Sequence, residues 1–280
     1  MARDFNGTSQ YGTATIAGLV TRFSAACWVN LDAFSSYTPL VNSRTDTFQA
    51  LLLAGSAGNP VGYGWENTSD EFDVASGLFV STGVWTLVGV TITPTAATLY
   101  RRETGGALES FTNTKTHNGK NPADWYFGYD FGIATRLNGR LAEVGMWNTD
   151  LSLADWQLLA AGVRALDVKP YWLMEYWNLL GNNSPEVGLK GISMSLVDSP
   201  PQATHPPMGS YRLRERLGLD ARRRRREGVD RRRGAGQHRH ASHLQQRRLD
   251  FHVQQHRADR QANQRPHRRQ RYQGRRRQRL

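Results

Sequence analysis

Two carboxylates stand two residues apart in Glu71-Phe72-Asp73. On a strand, alternate side chains share a face, and paired carboxylates on one face are what glycoside hydrolysis requires, one acting as nucleophile or base and the other as general acid. The same spacing also suits two solvated carboxylates on a strand edge. Other routes to catalysis lack their residues. The chain has no Gly-x-Ser-x-Gly elbow, no His-Glu-x-x-His and no Walker loop. It has one cysteine, and residues 1–211 contain only His117 and His205, both in loop-like sequence. Neither a hydrolytic triad nor a zinc site assembles from that set.

The element that must organise the chain runs from Trp85 to Tyr100. Trp85–Thr93 is rich in β-branched and aromatic residues and interrupted only by Gly89; Pro94–Ala96 reads as a turn, and Ala97–Arg101 resumes as a strand. Val88, Val90 and Ile92 form the apolar face of this hairpin, so a second sheet must cover it. Further strands are expected at 3–5 and 11–16, joined by an Asn6-Gly7 turn, then at 23–31, 39–42, 48–53, 63–66, 71–74 and 77–80. After the hairpin come 108–112, 125–129, 139–147 and 171–180. Cys27, in the apolar run at 23–31, is expected to be a small core residue. Many short strands separated by Gly, Asn, Ser and Pro clusters predict an all-β sandwich. One helix is expected over 153–161, with Ser152 and Asp155 as a capping box, Gly162 as its stop, and Trp156, Leu159 and Ala160 facing the sheet.

Four pieces in register carry a resemblance: Phe5-Asn-Gly-Thr-Ser-Gln-Tyr11, Ala26-Cys-Trp-Val29, the hairpin Trp85-Thr-Leu-Val-Gly-Val-Thr with Ala97-Thr-Leu-Tyr100, and Asn138-Gly-Arg-Leu-Ala-Glu-Val-Gly-Met-Trp-Asn148. Together they resemble the laminin-G-like, concanavalin A-like jelly rolls over roughly residues 1–180. The resemblance implies a two-sheet antiparallel jelly-roll β-sandwich and a glycan or cell-surface polysaccharide as partner, or an adhesion role. It also implies aromatic faces for sugar rings, and Tyr63, Trp65, Trp125, Tyr126 and Tyr129 lie near turns where they are expected to be exposed, in contrast to Trp28 and Trp85. Glu71-Phe72-Asp73 resembles half of the jelly-roll glucanase motif, but the positions for its second Glu hold Ala75 and Ser76. The expectation is therefore a non-catalytic binding module, with a degenerate or active glycoside hydrolase as the alternative. No cofactor is expected. Calcium, which the family takes through loop aspartates, has candidates in Asp70 and Asp130, but Ala142 stands where an acidic residue is common.

The overall charge of +12 hides two opposite segments. Residues 212–280 contain 24 Arg, no Lys and six acidic residues, whereas residues 1–211 contain 12 basic and 18 acidic residues. The basicity belongs to the C-terminal stretch alone. Residues 1–207 are expected to form the sandwich, with 182–207 as an extended closing segment. Residues 208–280 are expected to be a disordered arginine-rich tail that would hold nucleic acid through phosphate contacts. That tail also has the composition of an out-of-frame translation: CAC-GTT-CAG-CAG-CAC, a coding for His252–His256, gives Thr-Phe-Ser-Ser one base later. No apolar run reaches the ~20 residues needed to cross a bilayer, and the N-terminus enters strand-like sequence directly, so membrane insertion is not expected. A virion-surface or tail-associated decoration protein, or part of a larger extracellular one, fits these features.

Overall fold

A computed structural model describes residues 2–43, 51–55, 58, 60–66, 68–122, 124–180 and 184–208. The arginine-rich stretch from 209 onward and the first part of the strand expected at 48–53 lie outside the described residues. Strands β1 (Ala2–Asn6), β2 (Tyr11–Thr15), β3 (Phe23–Ala33), β4 (Pro39–Asn42), β5 (Leu51–Leu53) and β6 (Gly62–Gly64) precede a single helical turn, α1 (Ser69–Phe72). Then follow β7 (Thr86–Thr93), β8 (Ala96–Glu103), β9 (Glu109–Thr114), β10 (Asp124–Phe127), β11 (Tyr129–Asp130), β12 (Thr135–Arg136) and β13 (Asn138–Trp147). Helix α2 (Leu153–Ala160), β14 (Leu173–Trp177), β15 (Glu186–Val187), β16 (Ser193–Val197) and β17 (Gln202–Ala203) complete the order.

These strands form two large antiparallel sheets and a separate two-stranded one, β11–β12. One large sheet runs β17-β1-β13-β3-β7-β8-β9, with β14 also paired to β13; the other runs β15-β16-β2-β10-β4-β5-β6. The expected hairpin is present, with Thr86 opposite Glu103 and Thr93 opposite Ala96 across the Pro94–Thr95 turn. Thr93 Oγ1 accepts the Ala96 N–H at 3.1 Å and donates to the Ala96 carbonyl at 3.0 Å, closing that turn. Val88, Val90 and Ile92 enter the core between the sheets with Phe23, Trp65, Trp125 and Phe127.

The opposite face of the hairpin is buried as well, beneath α2. The helix starts at the expected capping box: Ser152 Oγ accepts the Asp155 N–H at 3.3 Å and Asp155 accepts the Ser152 N–H at 2.8 Å. Burial would raise the Asp155 carboxyl, but its bonds from Ser152 and the nearby Lys169 outweigh that and hold it below the usual range. Trp156, Leu159 and Ala160 face the sheet in a second core with Trp28, Leu87 and Tyr100. The Trp156 indole donates to Thr91 Oγ1 at 3.0 Å and stacks on Tyr100 at 4.2 Å. It lies directly on Gly89, where an added Cβ would come within 2.1 Å of the ring. The glycine that interrupts the strand in sequence is thus the seat of the helix's indole. Cys27 is buried and unpaired in the main core, and burial pushes its thiol up.

Four expectations are corrected. Asn6-Gly7 does not close a hairpin, because β1 and β2 belong to different sheets. Instead Asn6 Oδ1 accepts the N–H groups of Thr8 and Ser9 at 3.0 Å, folding the chain over from one sheet to the other. Residues 71–74 are not a strand: Glu71 and Phe72 end the α1 turn, so strand alternation never applies to Glu71 and Asp73. Residues 77–80 alternate buried and exposed as a strand would, yet they are not part of either sheet. Trp85, expected inside, is only half-buried at the margin of the second core.

Residues 184–208 stitch the sheets together. β16 pairs with β2 and β17 with β1. Arg3, itself buried, bonds Glu186 and the Pro200 carbonyl. Glu143, at the bulge of β13 with φ +54°, accepts a bond from Tyr176 and pairs with His205 at 3.0 Å. That carboxylate follows Ala142 directly and is spent on holding the closing segment.

Candidate functional site

Strand alternation in the smaller sheet sets the geometry of its outer face. On β2, Gly12 and Ala14 turn inward while Tyr11, Thr13 and Thr15 turn outward. On β10, Trp125 and Phe127 are buried while Asp124 and Tyr126 face out. On β16, Met194 and Leu196 are inside while Ser193 and Ser195 are exposed. Register then brings these outward residues into rows: Ser195 pairs with Thr13, which pairs with Tyr126, and Thr15 pairs with Asp124. Gly12 leaves room for the Met194 side chain, whose sulfur would lie 2.7 Å from an added Cβ.

The result is a groove of about 520 Å³ over β2, lined by Tyr11, Thr13, Thr15, Asp124, Tyr126, Ile192, Ser193 and Ser195. Beside the tyrosine end lies the short hairpin β11–β12, which Gly128 permits by taking φ +73° after β10. Tyr129 and Phe131 from this hairpin enclose Tyr126, with ring centroids at 5.8 and 5.9 Å, and Tyr11 lies 4.7 Å from Tyr129. Arg136 lies over the Tyr129 ring at 4.6 Å. At the other end Thr15 Oγ1 donates to Asp124 at 3.2 Å. Burial first, then the nearby Asp124, Tyr11 and Tyr129, raise the Tyr126 phenol, so it remains a neutral hydroxyl able to donate and accept. Aromatic faces beside a row of hydroxyls, open to solvent, are suited to a ligand with one apolar face and polar edges.

Of the five aromatics expected at a binding surface, only Tyr126 and Tyr129 are here. Tyr63, Trp65 and Trp125 are fully buried, which corrects their expected exposure. Each has its polar atom satisfied inside: Tyr63 Oη meets His117 Nε2 at 3.1 Å, Trp65 Nε1 donates to the Asn118 carbonyl at 2.7 Å, and Trp125 Nε1 to the Ile16 carbonyl at 3.2 Å. A turn nearby in sequence does not expose a side chain whose strand phase points inward. Tyr11, Thr13, Phe131 and Arg136 were missed. The alternation of large and small residues in Tyr11-Gly-Thr-Ala-Thr15 was the available signal.

The remaining candidate carboxylates are committed elsewhere. Glu71 is fully buried, and its oxygens accept the N–H groups of Trp65 at 2.7 Å and of Glu66 at 2.9 and 3.1 Å, with Lys115 Nζ 3.4 Å away. Asp73 is exposed and accepts the Tyr37 hydroxyl. The pair faces no common space. Asp130 is buried and accepts the Gly132 N–H at 2.9 Å, which fixes the β11–β12 turn. The side chain of Asp70 lies outside the described residues. Among the described residues no three His, Cys, Asp or Glu converge.

Comparison with known proteins agrees with the geometry of the sandwich. The family model of the concanavalin A-like lectin/glucanases superfamily matches residues 6–155. Among solved structures, a candidate carbohydrate-binding protein from Bacteroides ovatus is 16% identical, with a TM-score of 0.44 over 71% of this chain and 62% of that one. The chain thus spans about three fifths of that protein's length. Domain 4 of the extracellular arabinanase AbnA from Geobacillus stearothermophilus, in complex with arabinotriose, is 18% identical over 50% of this chain and 67% of that one, TM-score 0.40. The heptameric pentraxin of Limulus polyphemus is 10% identical over 71% of this chain and 94% of that one, TM-score 0.47. At such identities and TM-scores, the assignment of the chain rests on the family match. No curated protein matches the chain.

Proposed function

The chain belongs to the concanavalin A-like lectin/glucanases superfamily, and from that premise we propose that it is a non-catalytic carbohydrate-binding module. The observation that carries this reading is the solvent-open groove over β2, where Tyr11 and Tyr126 lie beside the hydroxyls of Thr13, Thr15 and Ser195. A pyranose ring has an apolar face for the tyrosines and equatorial hydroxyls for the row beside them. Asp124 adds a carboxylate acceptor, the group that binds a sugar diol most strongly. Two features of the described residues support the non-catalytic reading: Glu71 spends its lone pairs on the 65–66 backbone, and Asp124 has no second described acid beside it in the groove lining.

A glycan array probed with the full chain tests the reading. Binding to a restricted set of glycans is expected, and Tyr126→Ala should weaken it at least tenfold while the melting temperature changes little. Glycan binding untouched by Tyr126→Ala and Tyr11→Ala would move the site away from this groove. Release of reducing ends from any bound glycan would overturn the non-catalytic part.

A further inference from the structure

One charge beside the groove meets no carboxylate among the described residues. Arg3, Arg22, Arg101, Arg140 and Arg164 each meet a carboxylate, and Arg102 donates to the carbonyls of Gly106 and Ala160. Arg136 meets no carboxylate among the described residues. Its guanidinium is 4.6 Å from the centroid of Tyr129 and 6.0 Å from that of Tyr11. Nη1 makes a 3.4 Å bond to the Ala134 carbonyl, and Nε has no acceptor. The half-buried side chain is therefore oriented by two rings, with no described carboxylate to neutralise it.

We propose that the groove selects acidic glycans, with the Arg136 guanidinium taking the carboxylate of a uronate-type ring that lies against Tyr11 and Tyr126. This rests on the reading of the groove as a glycan site. A guanidinium is always charged, is weakly hydrated, and matches a carboxylate with two parallel N–H donors. Stacking on Tyr129 fixes the plane of that fork before the ligand arrives, which lowers the ordering cost of pairing. Partial burial strengthens the pairing relative to open water. At the far end of the row, Asp124 takes hydroxyls and repels a second anion, so the acidic ring belongs at the Tyr129 end and neutral rings run toward Asp124. Sparse rather than dense negative charge is the ligand pattern that fits.

The test is calorimetric titration of the full chain with a panel of tetrasaccharides built on glucose, galactose and mannose rings, each carrying one uronate, and with their carboxyl-reduced counterparts. At least one uronate form should bind about ten- to a hundredfold more tightly than its reduced form, the usual span for a hydrogen-bonded charge. Arg136→Gln should erase that difference, and Arg136→Lys should lose most of it, because an ammonium cannot hold both oxygens in the plane of the ring. The 24 arginines of residues 212–280 are common to all these proteins. Affinity that they supply survives both Arg136→Gln and Tyr126→Ala. Neutral and acidic forms bound equally in a manner that Tyr126→Ala weakens, or an acid preference that Arg136→Gln leaves intact, would overturn the inference and spare the glycan site. If Tyr126→Ala weakens the binding of no tetrasaccharide of either form, the glycan site itself falls and this inference with it. Thermal unfolding of each variant establishes that it is folded, and Arg136→Lys decides alone if Arg136→Gln is not.

Discussion

Trp125 and Tyr126 are neighbours on one strand, and they belong to different parts of the molecule. Trp125 points inward, stacks on Phe23 at 5.3 Å and has no solvent-accessible surface. Tyr126 points outward into a cluster with Tyr11, Tyr129 and Phe131, and Phe131 is 53% exposed. Both clusters are aromatic and both sit near turns. The inner one has its polar atoms satisfied by backbone and side chains, whereas the outer one has hydroxyls and a guanidinium still able to bond. Aromatic content therefore does not distinguish a core from a binding face; the state of the polar atoms around the rings does.

Substitutions on the two sides should separate by energy. Trp125→Ala should be the most damaging, destabilising the sandwich by about 3–5 kcal/mol, as truncation of a fully buried aromatic does; denaturant unfolding measures it. An effect under about 1 kcal/mol would mean the inner cluster is not the load of the core. Glu71→Ala should follow at about 2–4 kcal/mol, since it removes the buried acceptor of the N–H groups of residues 65 and 66 and the carboxylate 3.4 Å from Lys115 Nζ. A catalytic carboxylate would behave the other way, with activity lost and stability kept or gained.

Acid should loosen the inner side first. Burial lowers the His117 imidazole below its ordinary 6.5, against the opposing pull of the Thr93 carbonyl and of Glu71 and Glu66. The folded state therefore resists a proton that the unfolded chain accepts, and this contribution to stability is present above pH 6.5 and lost as pH falls toward the folded value. Glu66, whose burial is outweighed by the Asn118 N–H and Lys120, and Asp155 are both held below their ordinary 4.5 and 3.8. Their contributions are lost as pH falls below those values. The melting temperature should thus decline in two stages between pH 7 and 3, by an amount on the order of a few degrees in the upper stage. His117→Asn should flatten that upper stage only. Tyr126→Ala should cost least, within about 1 kcal/mol of wild type because part of the ring is already in water, while removing glycan binding. A large loss of stability would show that the outer cluster is structural and erase the contrast with Trp125.

Much of the sandwich was legible because local rules and burial agree there. The hairpin, the apolar run at 23–31 and the capped helix each combine an intrinsic preference with a matching apolar pattern. The candidate site was half-legible. Tyr126 and Tyr129 were reached through their aromatic type, but the same argument wrongly drew in Tyr63, Trp65 and Trp125, because proximity to a turn says nothing of strand phase. Glu71 was misread for a related reason. A short polar segment has no strong period, so the assumption of a strand put its carboxylate on an open face when one helical turn aims it inward.

What the sequence determined alone is the set of properties that depend on neighbours along the chain: alternation on β2 and β10, the Ser152–Asp155 cap, the hairpin turn that begins at Pro94, and the segregation of charge between residues 1–211 and 212–280. What only the tertiary structure decided is which strands lie side by side. Asn6-Gly7 reads locally as a hairpin turn but crosses between sheets, and β16, some 180 residues from β2 in sequence, supplies the Ser195 side of the groove. Register between such distant strands is set by the filling of a shared core, and one residue of slip would turn every outward hydroxyl inward. The groove exists because Met194 and Leu196 on β16 fill the core, leaving Ser193 and Ser195 outside beside Thr13 and Thr15.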